Sequence, residues 1–515
     1  MAEFGLETGF KLIPAIILAA ILILFIVVGI LSRVKSVEDY WVAGRGIGPI
    51  ANGAAVASNW MSAASFLGMA GVVYLQGYGF LSYVIGWTGG YTVLSLLMAS
   101  QIRRYGKFTA TDFVGDRYYS QVARTVAAIV TILIAFTYSV AQYKGIGMVF
   151  EWVFGLSYNG SVILGAGVVI AYVMIAGMLG VSRNQVVQYV ILIIAFMLPL
   201  FFIANKLGYF AVIPQLGYGS AVWEIGHAAD ASYYDPTYAA PFATRSAYNF
   251  VAIAFTMMMG TMGLPHVIAR FYTTPNERDA RWSVAWGLFF IGLLYWSSPV
   301  YASFARVLQE GAMPSSDVAD VIVVSSASMA GLPEWFVGFL AAGAIAAAFS
   351  TTSGLLTSGA AAFSHDLYFR VFKPSASHEE RLWAGRIGTL ILGILIIFVA
   401  LNPPALIAQI VGAAFALAGN TFFPLMVIGI WWGRASKEGG IAGMLVGLGI
   451  WLFSVWGDYY AGIDWIQTWI PASASSLIAV PIVFIVVILV SMWTPPPPRE
   501  VRALLREVHG SEAEA

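Results

Sequence analysis

Apolar residues run through this chain in long blocks, and the polar residues collect between them. A hydrocarbon core roughly 30 Å thick takes about 20 apolar residues as helix. Thirteen runs reach that length, at about 11–32, 48–76, 80–102, 121–153, 158–179, 184–206, 246–272, 282–307, 335–372, 382–400, 403–432, 438–457 and 473–493. They predict an all-α polytopic membrane protein with 13 transmembrane helices. Several runs exceed one straight span, so they must tilt, break or project past the bilayer. The first is too long for the apolar part of a signal peptide. No basic region precedes it beyond Lys11 and no small-residue cleavage site follows, so it reads as a true span.

The polar positions then set an orientation. With the N-terminus outside, the inner loops, inner helix ends and C-terminal tail hold all but five of the 26 Lys and Arg; the exceptions are Lys11, Lys144, Lys206, Arg245 and Arg306. That is the positive-inside bias. It predicts a cytoplasmic C-terminus and a bacterial-type inner (plasma) membrane. The longest outer connections, 207–245 and 308–334, have the length of functional covers. Composition narrows the class. Only 10% of the 515 residues are charged and 59% are hydrophobic, against about 25% charged in a soluble protein. Net charge is zero, so the basic excess of a nucleic-acid binder is missing. Cysteine is absent, which removes disulfide scaffolds, thiolate catalysis and cysteine-held metals.

Backbone in hydrocarbon must satisfy its own hydrogen bonds, so polar clusters in mid-run are informative. The second run holds Ala57-Ser58-Asn59-Trp60-Met61-Ser62-Ala63-Ala64-Ser65. The seventh holds Gly260-Thr261-Met262-Gly263-Leu264-Pro265-His266, where Pro265 removes a helical bond and disfavours helix at Leu264. Small residues of this kind also let helices pack closely. Yet each cluster opens a group of five runs, 48–206 and 246–432, and five being odd, the groups have opposite topology. Interrupted helices at matching positions of inverted halves point to a secondary-transporter site, with opened carbonyls for Na+ and half-helix N-termini for an anion. In the ninth run Ser350-Thr351-Thr352-Ser353 follow Ala346-Ala347-Ala348-Phe349. Their hydroxyls are hard ligands for a small cation, or bond back to their own helix. The chain divides into 1–47 (a peripheral helix and the loop leading in), 48–206, the outer connection 207–245, 246–432, and 433–515 (two peripheral helices and a short tail).

These stretches resemble the sodium:solute symporter family. Further matches are Arg270-Phe271-Tyr272-Thr273, Ser364-His365-Asp366-Leu367-Tyr368 and Glu38-Asp39-Tyr40-Trp41-Val42-Ala43-Gly44-Arg45. Within the family the chain is similar to the cation/acetate (monocarboxylate) symporter branch, in an acetate-permease-like form. The resemblance covers about 35–440. It implies the LeuT-type 5+5 inverted repeat, with broken first and sixth core helices. It further implies a sodium site made by the carbonyls of Ser58, Met61 and Ala347 and the hydroxyls of Ser350 and Thr351. Some relatives bind a second sodium through an acid where this chain has Gln185, so one Na+ is expected. By position the solute would be lined by Trp60, Ser65, Trp87, Gln142, Thr256, Met257, Gly260 and Asn420. Sugar-transporting relatives carry an acid where this chain has Val84, which speaks against a sugar.

The expected function is sodium- or cation-coupled symport of a small monocarboxylate such as acetate, lactate or pyruvate into the cell. The alternatives are another small organic solute, such as the amino acid proline, or a transporter-like solute sensor. The expected partners are that carboxylate, sodium, the lipid bilayer and, by the branch, a small membrane subunit; nucleic acid is not among them. An enzyme would need clustered acids or a nucleophile–base pair in mid-span, and the runs hold almost no acids. Among single residues, Lys144 is expected to snorkel to the outer interface and Arg270 to anchor the inner one. His266 reads equally as proton relay, solute donor or carbonyl cap. His365-Asp366 reads as structural or as part of an inner gate. The five histidines include no i,i+4 pair and so no metalloprotease-type zinc site.

Overall fold

The computed structural model describes residues 9–32, 43–107, 109–229, 231–240, 242–309 and 316–510, with the side chains of 44, 175–178, 317 and 378 excepted. The stretch 38–42 quoted above, with Arg33 and Lys35, lies outside them. Regular structure among the described residues is entirely helical. We label the main helices α1 (Leu12–Leu31), α2 (Pro49–Trp60), α3 (Met69–Gln76), α4 (Leu81–Leu97), α5 (Ala110–Arg117), α6 (Gln121–Phe154), α7 (Tyr158–Lys206) and α8 (Ala247–Gly263). They continue as α9 (Glu277–Leu308), α10 (Glu334–Ala361), α11 (His378–Ala400), α12 (Ile407–Asn420), α13 (Phe422–Trp431), α14 (Lys437–Val455), α15 (Ser476–Trp493) and α16 (Arg499–His509).

Polar residues between the apolar runs start several of these helices. Ser120, Ser157, Ser246, Asn276 and Ser436 each accept from a backbone amide three residues on, and Ser377 with Glu380 closes a capping box. Such caps satisfy amides that have no partner inside the helix. By length and apolarity, ten helices among the described residues can cross a membrane, or up to eleven if the bent pair Ala247–Gly263 and Pro265–Thr273 is one span. The expected thirteen is not reproduced on that criterion. Part of the difference is α7, where two expected spans fall on one helical run. Its 49 residues would reach far beyond a bilayer if straight. Instead the Tyr158 hydroxyl donates to the Ala400 carbonyl and Lys206 lies beside Gly331. Gly331 precedes α10 and Ala400 ends α11, the next span, so both ends of α7 lie on one face and the chain reverses within it.

Helices α10 and α12–α13 form the centre. Of the apolar window in each, 94% is buried, against 28% in α1 and 33% in α15. Helix α10 packs on α6 and α7, α2 on α9 and α7, and α8 on α4 and α12. The face holding the start of α1 we call the first face. The opposite, basic face holds Arg103, Arg117, Arg270, Arg370 and Arg434.

On the first face the described part of the connection 308–334, from residue 316 onward, is not an open loop. It forms short helices Ser316–Ala319 and Ile322–Met329, and Ala319 seats so close to α3 that any side chain at Gly71 would meet its carbonyl. Asp320, 1% exposed, fixes it there. Its Oδ2 takes the Lys144 ammonium at 2.6 Å and the Ile407 amide, at the start of α12, at 3.2 Å. Lys144 also donates to the Ala405 carbonyl. Lys144 therefore does not snorkel: the expected interfacial lysine is the cation of a buried pair, because the connection brings a carboxylate down to it. Removing one partner of a buried pair strands the other, at a cost of about 3–5 kcal/mol. Lys144→Ala is expected to lower stability by that order in detergent melts, while Lys144→Met with Asp320→Leu recovers a large part.

Candidate functional site

Helix α2 ends where Met61 leaves helical geometry (φ −74°, ψ 80°). Helix resumes at Ala63 and passes through a wide turn over Ala64–Gly68. The amides across this gap are diverted. That of Ser62 goes to the Trp60 carbonyl, that of Ala63 to Gln142 Oε1 at 2.8 Å, and that of Ser65 to the Ser62 carbonyl. In continuous helix they would serve the carbonyls of Ser58, Asn59 and Met61.

Helix α10 comes to two of those carbonyls. The Ser350 hydroxyl lies 2.6 Å from the Ser58 carbonyl and 2.8 Å from that of Ala347. The Thr351 hydroxyl donates to the Asn59 carbonyl at 2.8 Å. Gln185 Nε2 on α7 donates to the Ser350 carbonyl at 2.6 Å and to Asn59 Oδ1 at 3.2 Å. All of these residues are buried, and the group is built of neutral oxygens and amides. The close approach needs Gly354, where a Cβ would stand 2.0 Å from Asn59 Oδ1. Ser58, Ala347, Ser350 and Thr351 are thus brought together, and Met61 sits in the break itself.

The second break mirrors the chemistry of the first. Leu264 is extended (ψ 115°), and Pro265 has no amide for the Thr261 carbonyl. The amides of Val267 and Ile268 both go to Leu264, which releases Gly263. The chain bends by 49°. Gly260 packs on α12, where a Cβ would meet the Phe415 carbonyl at 2.4 Å.

Beside the first break lies a cage of rings. Trp60 stands 5.5 Å from Phe415 and 5.8 Å from Tyr91. Trp87 is 5.7 Å from Phe415 and 5.9 Å from Tyr295, and Tyr138 is 5.7 Å from Phe415. Ser65 Oγ meets the Tyr295 hydroxyl at 2.9 Å. Trp87 Nε1 and Gln142 Nε2 are buried donors without a partner among the described residues. Trp60, Ser65, Trp87 and Gln142 thus belong to this region, and Gly260 and Met257 pack around it. Thr256 and Asn420 turn elsewhere, bonding to Ser475 and Ser476 at the start of α15. Sequence reasoning missed Phe415, Tyr138 and Tyr295: each is one aromatic among many in an apolar run. The His266 ring stacks edge-on to Tyr138 at 5.5 Å. Arg270 is 1% exposed and bonds to Ser182 at 2.6 Å, so at the basic face it is packed inside the protein and is not the interfacial anchor expected.

A second cluster closes the basic face. Arg124 reaches Asp112 and Asp116 at 2.7 Å each and Asp366 at 4.0 Å. His365 Nε2 is 3.1 Å from Asp112, and Thr109 donates to Asp366. The donor atoms of Asp112, His365 and Asp366 lie within 4.8 Å of one another, and the Arg124 guanidinium supplies their countercharge. Burial would raise the Asp112 carboxyl, but His365 and then Arg124 outweigh it and hold it below the usual carboxylate range. A depressed folded pKa gives stability that is present above the unfolded value and lost as pH falls through the folded one. In melts on acidification below about pH 4, wild type is expected to lose more stability than Asp112→Asn. At the other cluster, Gly354→Ala is expected to lower stability by about 1–3 kcal/mol through overpacking, read in the same melts.

Residues 40–447 match the sodium:solute symporter family. The chain is 30% identical to an uncharacterized symporter of Cupriavidus necator, across 91% of this chain and 89% of that protein. Its fold is similar to that of a Na+-coupled sialic acid symporter in a substrate-bound outward-open state, with a TM-score of 0.73 at 18% identity, covering 95% and 99% of the two chains. It is also similar to Mhp1, a nucleobase-cation-symport-1 family transporter, in a closed conformation with bromovinylhydantoin bound. There the TM-score is 0.59 at 11% identity, over 91% and 98%. The fold is thus all-helical and LeuT-type. This multi-pass membrane protein belongs to the sodium:solute symporter family.

Proposed function

We propose that the chain imports a small monocarboxylate such as acetate, lactate or pyruvate together with sodium, in an acetate-permease-like branch of its family. One sodium ion is held by the carbonyls of Ser58, Met61 and Ala347 and the hydroxyls of Ser350 and Thr351. The observation that carries this reading is the Ser350 hydroxyl, set between the carbonyls of Ser58 and Ala347 at 2.6 and 2.8 Å. Oxygens from two helices converge there because one helix is open. When the ion binds, the hydroxyl protons turn away and lone pairs face it. A single positive charge needs no carboxylate, and Gln185 stands where a second sodium would want one.

The solute reading rests on the ring cage. Its buried groups unpartnered among the described residues include Trp87 Nε1 and Gln142 Nε2, which are donors only and suit an acceptor such as a carboxylate. The rings named there and Ser65 include no acid. The distribution of Lys and Arg supports a cytoplasmic basic face. Transport then proceeds by rocking of one group of helices against the other, 48–206 and 246–432, around the fixed site. Sodium and solute raise each other's affinity by the same factor.

In proteoliposomes an inward sodium gradient is expected to drive accumulation of labelled acetate, lactate, pyruvate or propionate. Ser350→Ala and Thr351→Ala are expected to raise the half-saturating sodium concentration at least tenfold, about 1.4 kcal/mol, with Thr351→Ser near wild type. Uptake that persists without sodium or proton gradients overturns symport. A preference for proline overturns the substrate class, and binding without accumulation makes the protein a sensor.

A further inference from the structure

On the basic face, where α13 and α15 end, the chain forms a groove of about 650 Å³. Arg434, Arg499, Arg502 and Arg506 line it, with Pro496 and Pro497, and no acidic residue is among its described lining residues. Its charge comes from helix periodicity. On α16, Val501, Leu505 and Val508 are buried. Arg499, Arg502 and Arg506 share a face by their i, i+3, i+7 spacing, and Glu500 and Glu507, seven apart, share another. The helix is anchored: His509 Nε2 lies 2.9 Å from the Ile430 carbonyl and its ring 4.9 Å from Trp431. On the opposite wall Arg434 donates to the Thr494 carbonyl at 2.7 Å, and its buried Nη1 has no partner among the described residues. Trp493, 82% exposed, and Trp431, 52% exposed, end the two apolar helices beside the groove. Exposed tryptophans at helix ends mark headgroup depth.

We infer that this groove seats the phosphate headgroup of an anionic phospholipid. A phosphate accepts bidentate hydrogen bonds from guanidinium groups, and basic pockets at helix ends on a cytoplasmic face suit such headgroups. Free phosphate has the same chemistry. The lipid is favoured because the groove opens beside the exposed tryptophans that end α13 and α15, so acyl chains can lie along the exposed face of α15. Since α16 packs on Ala99–Tyr105 and on α5, the bound lipid fastens the tail to the basic face.

The test uses the full chain, delipidated in detergent. Phosphatidylglycerol is expected to raise the melting temperature and to stay bound in native mass spectra, while phosphatidylcholine does neither. Arg499→Gln with Arg502→Gln, both exposed and away from the core, is expected to weaken phosphatidylglycerol binding at least tenfold with the lipid-free melting temperature unchanged. Arg434→Gln adds to that loss, and Arg278→Gln, a basic residue elsewhere on this face, has no effect. Equal binding of phosphatidylcholine, or no change in the double variant, overturns the proposal. Equal stabilisation by millimolar inorganic phosphate alone overturns the lipid in favour of soluble phosphate.

Discussion

A backbone carbonyl at the depth of a bilayer has to find a partner, and the organisation around α2 follows from that. Opening the chain at Met61 removes the amide donors from Ser58 and Asn59. Ser58 and Asn59 are buried, so another helix must replace those donors. Helix α10 supplies two adjacent hydroxyls, one helical turn beyond Ala347. That requirement explains why α10 lies at the enclosed centre, why its wall is alanine and glycine, and why Gly354 has room for no side chain. The polarity that stabilises the break gathers neutral oxygens of two helices at one buried point.

The legible parts of the sequence were those where one residue has one physical consequence. A proline ends a helix, so the bend at Leu264 was readable. Four consecutive hydroxyls in an apolar run must bond somewhere, so Ser350 and Thr351 stood out. The run lengths located the helices, and the two runs at 158–179 and 184–206 fall on the two arms of α7. The family resemblance, rather than spacing, supplied the pairing of Ser58 with Ser350.

Illegible parts depended on what distant segments bring. Nothing in the residues around Lys144 announces Asp320, 176 positions away, so the isolated lysine looked interfacial. Phe415, Tyr138 and Tyr295 carry no signal beyond being aromatic, and only the crossing of α12, α6 and α9 makes them a cage. Thr256 and Asn420 were placed by helix number, and their rotation toward α15 is set by packing that one sequence does not encode locally. Arg270 reads as a boundary charge because its helical stretch ends at Thr273, and only the packing of other segments around it buries it.

The Gln142 side chain has a mechanical consequence. It gives the amide of Ala63 the acceptor that α2 withholds, so a side chain on α6 completes the backbone of a different helix. If α6 tilted away from that half-helix, an amide would be stranded in a dry interior, at a penalty of about 1–3 kcal/mol. The lower-energy course is for both to travel together as a single lever arm, with Met61 as its pivot.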